Sequence, residues 1–553
     1  MRISDQLRRG QWLWLLLGSG VAGVTVFSCS GGFSGCDADK DCSPFGGASG
    51  NSGASGASGA SGSSGSSSSG AGGTSGSGAE GGANGEAGVA GEAGAAGSGV
   101  APCDPAQTPT TESCLVDDQY SIFVAPSGKD SNGGTKDAPV KTIGQAIALA
   151  TPGATKGKFI IACDGTYDEQ VTISAGVAMY GGFVCPGGTA DAWTLDTGGR
   201  ATVAPSARGI ALTIASASST PVTIENFEFD AQDGVNPGDS SIAAFVNDTS
   251  TKVTLTGVKL VAGRGVDGAK GTLTAFTYQD ASLLNGNSEK VGGGADSGSE
   301  KDCACQTGLM SSGGVGASPS SSGQSGAKGL PDHGAGQGGI PDNNDCGNGG
   351  TGKKGGDAAA TAASDGAKTL GALSSLGWRP TPGADGAVGS PGQGGGGGAS
   401  LDNLGHGGGG GCGGCGGNGA KGGQGGGASI ALLSLNSIVS LTNCELVSSD
   451  AGDGGAGVTG QAGQQTVGAG GTTISALNSC QGGVGGKGGA GGASGGGAGG
   501  VSAGIAWSGT SAMTPTSTMT TITTGMPGTK GIGGVPGTGD GIDGAAQGVL
   551  PVN

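Results

Sequence analysis

The chain has 553 residues, of which 134 are glycine; only 34% are hydrophobic, 3% aromatic and 12% charged. Much of it cannot build an apolar core, so its Gly-rich stretches are either solvated linkers or an assembly held by backbone contacts. With Lys+Arg 25 against Asp+Glu 42 the net charge is −17, which argues against nucleic acid as a partner and leaves divalent cations such as Ca²⁺ open.

The first element is an export signal. Arg2, Arg8 and Arg9 precede an apolar run over Trp12–Phe27 that is too short and too Gly-broken for a secure membrane span. It ends in Val26, Phe27, Ser28 and Cys29, which resembles the lipobox of bacterial lipoproteins, with an aliphatic residue at −3 and a small one at −1; Phe27 at −2 departs from that pattern. The resemblance implies removal of residues 1–28, acylation of Cys29, and a chain anchored in the cell envelope, at the outer membrane and exposed on the surface. The competing reading is an ordinary signal peptide with Cys29 in a disulfide. Fourteen cysteines fit an oxidising compartment. Their positions suggest the local pairs Cys36 with Cys42, Cys103 with Cys114, and Cys163 with Cys185.

After a Cys-containing stretch over 29–45, residues 46–102 are nearly all Gly, Ala and Ser, with Gly at every third place in parts but no proline between Gly46 and Gly99. A triple helix draws much of its stiffness from Pro, so a flexible, disordered tether is the better reading. About fifty such residues would hold the next domain roughly 40 Å from the membrane.

Residues 103–285 carry short strand patterns separated by turn residues. The stretches Val222–Phe229 (VTIENFEF), Val253–Leu260 (VTLTGVKL) and Val439–Leu446 (VSLTNCEL) overlay so that Ile224, Leu255 and Leu441 share one apolar place, Asn226 falls on Asn443, and Glu228 on Glu445. Short strands recurring with a polar turn residue at a fixed place are the pattern of a stacked repeat. In the stretch Ile122–Ala150 followed by Phe159–Ile173 and Val177–Phe183, a strand, a Gly/Asp/Asn loop, a Pro-x-x-Thr-Ile helix start and a Gly-Thr-Tyr-x-Glu run occur in order. This resembles the opening of pectate-lyase-like right-handed parallel β-helices. It implies an all-β solenoid in a family whose activities range from lyases to adhesins. Thr142 is a reasonable N-cap, and Ile143, Ala146, Ile147 and Ala150 make one apolar helical face that would cap the exposed end of the stack. Cys163 and Cys185 would then staple neighbouring strands.

From 286 to 427 the strand signal gives way to Gly-rich sequence and returns over 428–525; residues 526–553 read as a Gly-rich tail. The middle segment is an insertion in a turn or a Gly-rich extension of the stack. Runs such as 413–427 and 482–500 resemble in composition the glycine-rich region of mycobacterial PE-PGRS surface proteins, which implies surface display. Such chains can pack as polyproline-II-like helices through backbone contacts, and flexible coil is equally allowed.

Candidate chemistry is sparse. Asp130 and Asn132 offer oxygens to Ca²⁺, but Gly134 stands where such a loop places another acid or amide, which favours a plain turn. His406 with Cys412 and Cys415, and Cys303 and Cys305 with Cys346, have the residue types of zinc sites; export favours disulfides instead. For a Ca-dependent polysaccharide lyase or glycoside hydrolase, the nearest collection is Asp230, Asp233, Asp239, Arg264 and Asp267 on one edge of the stack, against the ordinary use of Asp in turns. The favoured reading is an exported protein that binds or displays, with a surface or matrix polysaccharide or another cell-surface protein as partner and no cofactor.

Overall fold

A computed structural model describes residues 103–104, 106–151, 157–186, 192–215, 221–249, 251–290, 296–341, 345–474 and 478–552. The export signal, Cys29, Cys36, Cys42 and the tether lie outside them. Among the described residues no helix is long and apolar enough to cross a membrane.

Valine, isoleucine and threonine in short alternating runs favour strands, and strands dominate. Most belong to three large sheets whose neighbours are parallel apart from one two-residue strand, and two antiparallel hairpins, Lys301–Ala304 with Met310–Gly313 and Gly371–Ser374 with Gly377–Pro380, form sheets of their own. The first holds Ser121–Val124, Phe159–Cys163, Ala178–Val184, Val222–Glu225, Val253–Thr256, Val439–Thr442 and Thr516–Thr518, with Thr194–Leu195 antiparallel at the side. In the second are Gly165–Tyr167, Ala201–Val203, Phe227–Asp230, Lys259–Ala262, Glu445–Ser448 and Thr521–Thr523. The third comprises Val171–Ile173, Leu212–Ala215, Ser241–Asn247, Ser429–Leu435, Ser502–Ser508 and Ala546–Pro551. From Val222 onward the chain visits the sheets in the order first, second, third, and each circuit adds one strand to each.

The register follows the sequence overlay. Leu255 lies beside Ile224 and Leu441, and Lys259 lies between Glu228 and Glu445. One core cluster collects Ile224 and Leu441 of the first sheet, Phe229 and Leu446 of the second, and Ile214 and Leu432 of the third. From Val222 onward, strands of the first two sheets such as Val222–Glu225 and Phe227–Asp230 alternate buried and half-exposed residues, whereas Ser121–Val124, Phe159–Cys163 and Ala178–Val184 are buried on both sides, with Phe123, Ile161, Tyr180, Phe183 and Trp193 in a separate cluster. The middle strands of the third sheet, Ser241–Asn247, Ser429–Leu435 and Ser502–Ser508, are buried on both sides because a second layer covers them. The antiparallel hairpin Gly371–Ser374 and Gly377–Pro380 brings Trp378 into a cluster with Ile242, Phe245, Ile430 and Leu433. That explains why Ser241–Asn247 and Ser429–Leu435 read as unbroken apolar runs.

The turn from the first to the second sheet needs a left-handed residue. Asn226, Asn443 and Met519 have φ of 55°, 54° and 50°, and Gly257 has 62°. Asn and Gly reach this region readily, which is why they recur at the fixed place. At the turn from third to first, Asp248 and Asn436 both have φ of 46°, and the Asn436 amide donates to the Asp248 carboxylate at 3.0 Å.

The helix Ile143–Ala150 buries Ile143, Ala146, Ile147 and Ala150 at the beginning of the stack. Its N-terminus is held three ways. Thr142 Oγ1 accepts from the Gln145 amide, the two Glu169 carboxylate oxygens accept from Ile143 N–H at 2.6 Å and Gly144 N–H at 2.9 Å, and Asp130 accepts from Lys141 N–H and Thr142 N–H at 2.9 and 2.8 Å. The Gly-Thr-Tyr-x-Glu run therefore locks the helix, since Tyr167 also donates its hydroxyl to Cys163 O at 2.8 Å.

The Gly-rich segments are an ordered bundle. It begins at 263, directly after Lys259–Ala262, because the chain leaves the second sheet there and rejoins the third at Ser429; two further Gly-rich excursions follow Glu445–Ser448 and Thr521–Thr523. Residues 383–398 pair with 408–423 in opposite directions through amides three residues apart: Gly383, Gly386, Gly389, Gly392, Gly395 and Gly398 donate to Gly423, Ala420, Gly417, Gly414, Gly411 and Gly408. In the same direction, Gly411, Gly414, Gly417 and Gly423 donate to Gly483, Gly486, Gly489 and Gly495. A three-residue period is that of a polyproline-II-type helix. Successive residues face different neighbours, for Gly394, Gly395, Gly396 and Gly397 donate to Leu330, Gly411, Lys353 and Ala327. A Cβ on any of these four would collide with a neighbouring carbonyl, of Ser312, Gly483, Gln337 or Val315. The expected tail after residue 525 is corrected by its last strand, Ala546–Pro551, which pairs with Ser502–Ser508; with five of its six positions exposed, this strand has no apolar alternation to reveal it.

Candidate functional site

Three of the five residues singled out for catalysis turn a carboxylate oxygen to a backbone amide. Asp233 Oδ1 accepts from Arg264 N–H at 2.6 Å, Asp239 Oδ2 from Asn236 N–H at 2.8 Å, and Asp267 Oδ1 from Asp453 N–H at 2.7 Å. Asp453 repeats this on Thr529 N–H at 2.6 Å and Asp450 on Met526 N–H at 2.9 Å. Asp233, Asp267, Asp450 and Asp453 thus cap amides of the adjoining chain segment, and Asp239 caps its own turn. Asp239 is held below the usual carboxylate range, first by the Asn236 N–H. Arg264 is exposed, and its guanidinium makes no hydrogen bond or ion pair with a described residue. Asp130 is likewise turned toward backbone N–H groups, and the Asn132 amide donates to Pro139 O at 2.9 Å.

Asp230 is different. It lies on the outward side of the second sheet, two residues from Glu228, where Lys259 Nζ meets Glu228 Oε1 at 2.8 Å. Burial, then the Glu228 charge, push its carboxyl up to about 6, against the pull of Lys259, and its Oδ1 is buried without a hydrogen-bond partner. Lys259 is raised in turn, chiefly by its bond to Glu228. Glu445 continues the row and meets Arg200 at 3.8 Å. Two carboxyl groups at i and i+2 with an ammonium between neighbouring strands form a charged cluster able to hold or exchange a proton. Lys259 falls at the same register as Glu228 and Glu445, so the overlay that aligns the two glutamates as repeat positions also contains the signal for the ion pair between them.

Two clefts adjoin the outer side of the first sheet. One of about 510 Å³ is lined by Ser127, Lys129, Asn132, Lys136, Pro139 and Trp193 among others, and one of about 410 Å³ by Thr110, Thr111, Val116, Lys136, Phe183 and Trp193. Trp193 packs on Phe123 at 4.8 Å and donates its indole N–H to Lys136 O at 3.2 Å. Neither cleft contains the seam carboxylates.

Cysteine chemistry is structural. Disulfides join Cys103–Cys114, Cys163–Cys185, Cys303–Cys412, Cys305–Cys415 and Cys346–Cys480. The thiolates a zinc site beside His406 would need are therefore engaged with one another. Cys444 is unpaired and buried, and burial raises its thiol pKa.

The three stacked sheets define an all-β parallel protein. Residues 126–271 match a family described as "Protein of unknown function (DUF1565)", a family associated with parallel β-helix proteins. No curated protein and no solved structure matches the chain.

Proposed function

We propose that the chain is an exported, lipid-anchored surface protein whose right-handed, pectate-lyase-like β-helix and PE-PGRS-like glycine bundle bind or display rather than cleave. The tether carries the folded part away from the outer membrane, and its partner is a surface or matrix polysaccharide or another cell-surface protein. The observation that carries this reading is the use of the seam carboxylates Asp233, Asp239 and Asp267 as caps on backbone amides. Acid–base catalysis needs such groups free to face a substrate. Intact-mass measurement on membrane fractions should show a chain beginning at Cys29 with acyl chains added, and Cys29→Ser should move the protein to the soluble fraction. A soluble, unmodified wild-type chain would remove the anchor from this reading.

A Ca-dependent lyase or hydrolase is the second reading, favoured by the raised Asp230 beside Glu228 and Lys259. Purified protein incubated with acidic polysaccharides and Ca²⁺ is expected to release neither unsaturated nor reducing ends. Turnover lost on Asp230→Asn, Asp233→Ala or Arg264→Ala would establish the enzyme instead.

A further inference from the structure

The sheets and the glycine bundle are held together by different means, and the cystines fall where the difference is greatest. The sheets enclose one apolar core extending from Ile122 to Ile505. Where the bundle adjoins the third sheet, Trp378 shares the sheet's apolar cluster; away from the sheets, its buried apolar clusters are Leu284 with Cys303 and Cys412, and Ala399 and Leu401 with Cys480 and Cys346. Each is built around a disulfide. The remaining cohesion is mostly backbone hydrogen bonding in glycine-rich segments, with a few buried side chains such as Gln393 and Gln464 bonded to it, and glycine loses more freedom on ordering than any other residue. Such bonds replace bonds to water at small net gain. Cross-links act on the open chain, which regains less freedom once long loops are closed. Cys303–Cys412, Cys305–Cys415 and Cys346–Cys480 span 109, 110 and 134 residues. The first two close nearly the same loop, so the second chiefly fixes register.

Their position matters as much as their span. Residues 408–427 run directly into Ser429–Leu435, and 482–500 into Ser502–Ser508, so one end of the bundle is fixed by the sheets. Cys412, Cys415 and Cys480 lie at the other end, roughly 40 to 70 Å along an extended segment at about 3.1 Å per residue from the strands those segments enter. We propose that these three cystines gate the fold: the far half of the bundle is ordered only in the oxidised chain, and reduction releases it while the sheets stay folded. Closure is thiol–disulfide exchange. One cysteine thiolate attacks a small-molecule or enzyme disulfide and expels one thiol; the second thiolate displaces the other. The acceptor leaves as two thiols carrying the two electrons and two protons lost by the protein. In a reducing cytosol the segment remains an open chain suited to export, and it closes outside.

Hydrogen exchange on the full chain, read by mass spectrometry, tests this in three samples: oxidised, reduced, and an unreduced variant with all six bundle cysteines changed to Ser. Peptides within 300–341 and 402–415 should exchange at least tenfold faster in both the reduced and the variant chains, with Val222–Ala262 unchanged. Alkylation mass counts verify reduction. Retained bundle protection in either chain overturns the proposal, as does joint loss of protection over Val222–Ala262. A chain lacking only Cys103–Cys114 and Cys163–Cys185 should keep the bundle protected until reductant is added; loosening before then overturns it too.

Discussion

Met519 occupies at φ 50° the turn that Asn226, Gly257 and Asn443 take in earlier circuits. Left-handed backbone costs a residue with a bulky Cβ about 1 kcal/mol or more, and Met519 is 75% exposed, so nothing buried offsets that cost. Met519→Asn should raise unfolding free energy by about 1 kcal/mol in denaturant titration, while Asn443→Ala should lower it by a similar amount. Asp230 gives the second residue-scale expectation. Its folded pKa, up to about 6, lies above the ordinary carboxyl value of 3.8. The folded state therefore holds the proton more tightly, and stability falls as pH rises between those values. Because the group is only half-buried, solvent screening reduces the effect to about 1 kcal/mol. Asp230→Asn should stabilise the protein by that amount at pH 7 and by nothing measurable at pH 4. The Asn turn positions are readable from the overlay of Val222–Phe229 on Val439–Leu446. Met519 is not, since nothing about methionine signals a left-handed turn.

The capping helix and the bundle carry the predictions at the scale of elements. Glu169→Ala frees the Ile143 and Gly144 amides at the helix N-terminus, and loss of such a cap costs about 1–2 kcal/mol. Amides over 143–147 should exchange faster while the third sheet does not change. Gln393 is fully buried, donates to Gly329 O and Ala335 O, and accepts from His333, Ala335 and Gly356 amides. Gln393→Leu would leave these groups unpaired and should cost about 2–3 kcal/mol, read as faster exchange over 326–339. The helix is legible because a 3.6-residue apolar face beside an N-cap has one reading. The bundle is not, because a Gly-rich run satisfies a solvated coil and a three-residue hydrogen-bonded helix equally. Only long-range pairing, such as Gly383 with Gly423, decides between them. For the same reason its start at 263 instead of 286 is hidden, since the non-glycine residues over 263–285 resemble loop and strand.

At the scale of the whole molecule, the alternation of buried and half-exposed residues identifies the parallel stack, while the unbroken apolar strands of the third sheet require a covering layer without saying what it is. The candidate site is legible as a set of turn acids, but the bonds of Asp233 and Asp267 to amides of other segments, 186 residues away for Asp267 and Asp453, are not. Since Asp130, Asp233 and Asp267 already commit oxygens to backbone N–H groups, adding a Ca²⁺ chelator should leave the melting temperature unchanged. A fall of several degrees would reveal a cation holding the turns.

The pairing of residues 383–398 with 408–423 and of 408–427 with 482–500 has a mechanical consequence. Its hydrogen bonds run across the segments, at regular three-residue steps. A pull directed along the segments loads the whole row in shear, so the bonds must yield together, whereas a pull directed across them opens the row one bond at a time. The bundle is therefore stiff and strong along one axis and weak along the others, and single-molecule extension from attachment points chosen on those two axes should give unequal rupture forces.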